Sequence, residues 1–137
     1  MLVTPASTEP LLLVLAHLDF HLAVRQALRD LHRPDLLARN PLVRTRLVAD
    51  AGSADATTLA ALIRQAVDAL AADPRDDRLH RAVDRTYVRG ARTQEAAAAV
   101  LGVPFSTYRR HLTRGVDRVV DLLWQRELGR AVGGEQQ

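Results

Sequence analysis

Residues 93–128 read TQEAAAAVLGVPFSTYRRHLTRGVDRVVDLLWQREL, and this stretch decides the fold. Thr93 supplies a hydroxyl suited to capping a helix, and Glu95 puts a negative charge where the helix dipole favours one. Ala96 stands where a capping box would need Glu or Gln, so no reciprocal box forms. The alanines that follow make a slim, strongly helix-forming segment that can lie close against its neighbours. Val100 and Leu101 are expected to anchor this helix. Gly102 is expected to end it in the left-handed conformation that only a residue without Cβ adopts freely. Val103 then turns into the core and Pro104 begins the next element. Ser106 or Thr107 is expected to cap a long second helix, with Tyr108, Leu112, Val116, Val119 or Val120, and Leu123 facing inward. That helix runs to Leu128 or beyond and carries Trp124. Two helices joined by a tight glycine-containing turn have helix-turn-helix geometry.

With Tyr108 and Leu112 inward, the outward set is Ser106, Thr107, Arg109, Arg110, His111, Thr113 and Arg114. It holds donors for phosphates and base edges and no carboxylate before Asp117. Thr93 completes the candidate DNA-binding residues. Thr93-Gln94-Glu95, Ala97, Leu101-Gly102-Val103, Ser106-Thr107-Tyr108-Arg109-Arg110, Leu112 and Arg114 resemble region four of sigma factors and the related response-regulator helix-turn-helix domains. The resemblance implies that the Thr-Gln-Glu segment opens a scaffold helix and that the Ser-Thr segment begins a recognition helix entering the major groove of double-stranded DNA. It also implies a preceding support helix over Asp76–Arg89, so that the similarity spans residues 76–128. More loosely, the chain is similar to C-terminal segments of large ATP-binding regulators of GC-rich bacteria, although it carries no nucleotide-binding motif. Two features depart from the pattern. Phe105 replaces a residue that is usually polar, and the second helix is long enough for a second task such as packing or dimerisation.

Outside this stretch, residues 1–7 read as a loose tail and Thr8-Glu9-Pro10 as a helix start. Leu11, Val14 or Leu15, Leu18 and Leu22, then Val24, Leu28 and Leu31, form the expected inward stripe of a first helix ended by Pro34. Its front half is apolar nearly all round, which calls for deep burial or a partner helix. A short turn over Asp35–Arg39 and a brief helix over Pro41–Val48 follow. The loop from Asp50 to Asp55 is the expected boundary between an N-terminal helical region (1–50) and a helical domain (55–132). Asp55 or Thr57 caps the next helix, with Leu59, Leu62, Ile63, Ala66, Val67 and Leu70 on one face and Asp73-Pro74 as its stop. Asp76 and Asp77 open another, with Leu79, Val83, Tyr87 and Val88 inward and Gly90 at its end. Alternating strand patterns are missing, so the expected fold is all-α, a helical bundle with a C-terminal helix-turn-helix and a long terminal helix.

Composition narrows the function. The 137 residues are 47% hydrophobic and 26% charged, which is globular, and only 4% aromatic, so the core is aliphatic. No cysteine is present, which removes disulfides and thiolate sites. All 19 cationic side chains are arginine, as a GC-rich genome would encode. Seven arginines (85, 89, 92, 109, 110, 114 and 118) face only Glu95 and Asp117 between residues 85 and 118, a local excess larger than the net +3 of the whole chain. The apolar run Leu11–Leu15 falls far short of the roughly 20 residues that span a bilayer, and no signal peptide is recognisable, so a cytoplasmic protein without membrane contact is expected. His17 and His21 have ligand-like spacing but no identifiable third ligand, and are read as core or interface histidines; His32 and His80 are read as surface residues. Neither a glycine-rich phosphate loop nor a nucleophile elbow occurs, and Asp76 and Asp77 point about 100° apart on a helix. No enzyme activity, cofactor or metal is therefore expected. The expected function is a DNA-binding transcriptional regulator acting as a homodimer. The alternative is an interaction module that docks on RNA polymerase or a larger regulatory ATPase. A sigma-like factor is less well supported, since the N-terminal half offers no promoter-melting region.

Overall fold

Seven α-helices follow one another in the computed structural model, which describes residues 12–133: α1 (His17–Arg29), α2 (Pro34–Leu37), α3 (Arg46–Ala51), α4 (Ala56–Leu70), α5 (Asp77–Val83), α6 (Gln94–Leu101) and α7 (Phe105–Gly133). The protein is an all-α bundle, with no strand among the described residues beyond an isolated bridge between Leu13 and Thr45. The expected tail and the helix start at Thr8-Glu9-Pro10 lie outside the described residues.

The helix α4 forms as its pattern dictates. The Asp55 carboxylate accepts the Thr58 N–H at 3.0 Å, and all six apolar residues of the expected face are buried. The first helix differs from expectation. It begins only at His17, and the Leu13 N–H before it donates to the Arg44 carbonyl at 2.9 Å. Its buried face is Phe20, Ala23, Val24, Ala27 and Leu28, continuing to Leu31, whereas Leu18 and Leu22 are 68% and 53% exposed. Only one face of a single-sided helix can pack. The Leu18–Leu22 line runs on into Arg25 and Arg29, while the Phe20 line stays apolar throughout. Phe20 also meets the Trp124 ring edge-on, with centroids 5.0 Å apart.

The expected helix over Pro41–Val48 is split into a 3-10 turn (Pro41–Arg44) and α3. Thr45 sits buried at the break, and its hydroxyl donates to the Leu42 carbonyl at 2.6 Å. No local side chain caps α3; the Leu47 N–H instead donates to Glu127 Oε1 at 2.7 Å, a carboxylate delivered from the far end of α7. Buried Asn40 accepts the Leu42 N–H and donates to the Ala23 carbonyl, both at 2.9 Å, tying the turn to α1.

After α5 the chain widens into a π-turn over Asp84–Val88, closed by the Arg89 N–H on the Asp84 carbonyl at 2.8 Å. The wider turn shifts the facing of the residues after it. Ala82 and Val83 are buried, but Tyr87 and Val88, expected inward, are only half-buried, as is Leu79. Gly90 ends the segment at φ +82°.

The helix α7 is the spine of the bundle. It packs against α1, α3, α4, α5 and α6, burying Tyr108, Leu112, Val116, Val119, Val120 and Leu123 along one face. Residues before and after the 50–55 loop contribute to one continuous aliphatic core. Among the described residues no helix is long and apolar enough to cross a membrane.

Candidate nucleic-acid interface

Thr93 caps α6, its hydroxyl accepting the Ala96 N–H at 3.0 Å. Ala97 and Ala98 are the buried residues of this helix, so its anchor is alanine. Val100, expected to anchor it, is 60% exposed and Leu101 half-buried. The reason is that a slim helix lies so close to its neighbours that one small-residue face fills the contact. Gly102 adopts the left-handed conformation at φ 70° and ψ 31°. The Gly102 N–H donates to the Ala99 carbonyl at 3.1 Å and the Val103 N–H to the Ala98 carbonyl at 3.2 Å, a complete Schellman stop. The next helix starts at once, with the Tyr108 N–H on the Pro104 carbonyl at 2.9 Å. Ser106 and Thr107 therefore lie inside its first turn and neither caps it, because proline closes the preceding turn and leaves its own carbonyl to accept the first helical bond.

Tyr108 fixes the start of α7 to the elements beneath it. Its ring is fully buried, and its hydroxyl donates to Thr86 Oγ1, which in turn donates to the Ala82 carbonyl. Burial pushes the Tyr108 phenol above its ordinary range, and the Thr86 contact opposes this. Seven residues on, about two turns, a Cβ built on Gly115 would overlap Val83 Cγ2 and stand 2.9 Å from the Leu79 carbonyl oxygen. A side chain at this position could not share the approach of α7 to α5.

The candidate residues then separate by direction. Ser106, Arg109, Arg110 and Arg114 are exposed on the outer face of α7. Thr107 and His111 are half-buried in a cleft of about 230 Å³ whose opposite wall carries Arg78 and Arg81 of α5. Thr113, though exposed, lines a different recess with His21 and Arg25 of α1. Thr93 stands at the far end of α6 from the turn, with its hydroxyl already engaged, so the fold does not bring it to the others through the Gly102 turn. Phe105 is 38% exposed, lies nearly parallel to the Tyr108 ring at 6.1 Å between centroids, and has the Arg109 guanidinium 5.8 Å from its own ring centre. It acts as an apolar shelf that holds Arg109 at the mouth of the helix.

Ion pairing redistributes the charge that a linear count suggests. Arg118 reaches Asp76 at 3.3 Å, Arg89 reaches Asp84 at 2.9 Å and Arg81 reaches Asp77 at 3.1 Å. Arg78, Arg109, Arg110 and Arg114 have no ion-pair partner among the described residues. His111 lies among three of these: burial first, then the charges of Arg78, Arg110 and Arg114, hold its imidazole below the ordinary histidine range. Four unpaired guanidiniums about the front of one helix can hold phosphate oxygens by charge-assisted hydrogen bonds. Arg78 and Arg81 escaped the sequence reading. Their spacing puts them near one face of α5, but which face meets the cleft depends on how α5 packs against α7. No family model matches the chain, and no curated protein or solved structure is detectably similar to it.

Proposed function

We propose that this chain is a DNA-binding transcriptional regulator in which α6, the Gly102 turn and the front of α7 act as a sigma-region-four-like helix-turn-helix. The observation that carries this reading is the cluster of Arg78, Arg109, Arg110 and Arg114, without carboxylate partners among the described residues, around an exposed helix start. In this reading Ser106, Thr107, Arg109 and Arg110 meet bases and backbone in the major groove, and Arg114 and Arg78 hold flanking phosphates. A homodimer in the cytoplasm, reading two half-sites, is the form that gives such a module useful specificity.

Fluorescence anisotropy with a mixed-sequence duplex, across a salt series, tests it. The wild type should bind with an affinity that falls steeply with salt. The Arg109→Ala/Arg110→Ala variant should bind more weakly, with a log–log salt slope smaller by about 2, since each phosphate contact contributes about 0.9. A wild type that ignores the duplex at low salt would refute the reading. One observation favours a second reading, an interaction module for a protein such as RNA polymerase or a larger regulatory ATPase: Leu18 and Leu22 stand exposed one turn apart on α1. Salt-insensitive capture of such a partner, without DNA affinity, is its signature.

A further inference from the structure

We propose that Asp68, His80 and Asp84 form a site for a divalent transition metal, with zinc as the best-fitting ion, that clasps α5 to α4. The three side chains come from two helices, and their ligand atoms all lie within 4.8 Å of one another. His80 and Asp84 stand four residues apart on one continuous helical face, the spacing at which two ligands reach a single ion, and Asp68 answers them from α4. Around zinc, with bonds of 2.0–2.2 Å, ligand atoms sit about 3.3 Å apart. Ion binding then requires side-chain torsions to close the remaining distance.

The donor set points to a borderline ion. One imidazole with two carboxylates suits zinc and its neighbours better than calcium or magnesium, which take oxygen ligands in larger number. Two carboxylates and a neutral imidazole also balance the charge of the ion. Arg89 Nε occupies Asp84 Oδ2 at 2.9 Å and leaves the other oxygen free, so that it would act as the outer hydrogen-bond partner that orients a ligating carboxylate. Asp68 has no ion-pair partner among the described residues. His80 and Asp84 open onto a cleft of about 450 Å³, which gives the ion an entry path and room for a water as fourth ligand. Arg81, Arg85 and Arg89 line the same cleft, and their charge opposes a cation there, so binding is expected to be weaker than at closed structural sites. Asp84 is also the first residue of the π-turn, a distortion that often accompanies binding sites.

The test is a calorimetric titration of the full chain with zinc chloride, with thermal melts in zinc and in chelator, all without DNA, so its result stands apart from the DNA reading. The expected result is one zinc per chain and a melting temperature raised by several degrees at saturation. Asp68→Asn, at an exposed position, and His80→Ala should each weaken binding by about tenfold or more while keeping the helical circular dichroism. His21→Ala, which breaks the one histidine pair at a spacing of four (His17 and His21), should leave binding unchanged. Absence of zinc binding, or binding that Asp68→Asn and His80→Ala do not affect, overturns the proposal.

Discussion

His111 shows how one residue registers its surroundings. Its imidazole is half-buried against the cleft and faces the charges of Arg78, Arg110 and Arg114, so the folded state disfavours its protonation. The unfolded chain has no such penalty and titrates near 6.5. Below that value the unfolded state therefore binds more protons than the folded one. The stability that neutral His111 allows is present above pH 6.5 and is lost as pH falls through the lowered folded value. Urea midpoints taken from pH 7.5 to 5 should decline more steeply for the wild type than for His111→Gln. Equal slopes would mean that His111 is not strained by its arginine neighbours. Phe105 carries a different lesson at the same scale: an apolar residue at the outer start of α7 becomes a platform for a guanidinium, not a plug in the core.

At the scale of elements, α7 does two jobs with one continuous helix. Its first three turns expose Ser106, Arg109, Arg110 and Arg114, and its later turns supply Val119, Val120 and Leu123 to the core and Glu127 to the start of α3. A helix so anchored presents its front end rigidly. The crossing with α5 depends on Gly115, whose missing side chain lets the Leu79 carbonyl and Val83 come close. In the same helix, Gly129 has open space around its Cβ position. Gly115→Ala should therefore destabilise the protein, since overpacking costs about 1–3 kcal/mol and outweighs the gain in helix propensity. Gly129→Ala, free of any clash, should stabilise it by up to about 1 kcal/mol. Denaturant melts of the two variants should move in opposite directions, and a stabilised Gly115→Ala would show that the two helices are not closely apposed.

At the scale of the whole molecule, the bundle is closed by contacts between distant parts of the chain. The single tryptophan, Trp124, meets His17 at 4.9 Å and Phe20 at 5.0 Å between ring centroids, so it reports directly on the docking of α1 against α7. The core continues from these residues into α4 and α5. Unfolding followed by Trp124 fluorescence and by helical circular dichroism should give coincident transitions. A fluorescence change that clearly precedes the loss of helix would mean that α1 detaches on its own and that residues 1–50 are a separate unit.

The sequence alone determined the helical class, the α4 face, the Thr93 cap, the Gly102 stop and the inward line of α7 from Tyr108 to Leu123. Each of these follows from local chemistry: a capping oxygen, a residue free to adopt positive φ, or an apolar period of 3.6. Tertiary structure decided what depends on a partner surface. It chose the Phe20 line over the Leu18–Leu22 line on α1: both are apolar near the start, and the Phe20 line, which stays apolar where the other runs into Arg25 and Arg29, is the one that packs against Trp124. It placed a π-turn after α5, gave α3 a cap from Glu127 80 residues away, and set Arg78 beside His111 while pairing Arg118 with Asp76. A charge count along the chain cannot see such pairings, because electrostatic energy depends on distance in space and not on separation in sequence.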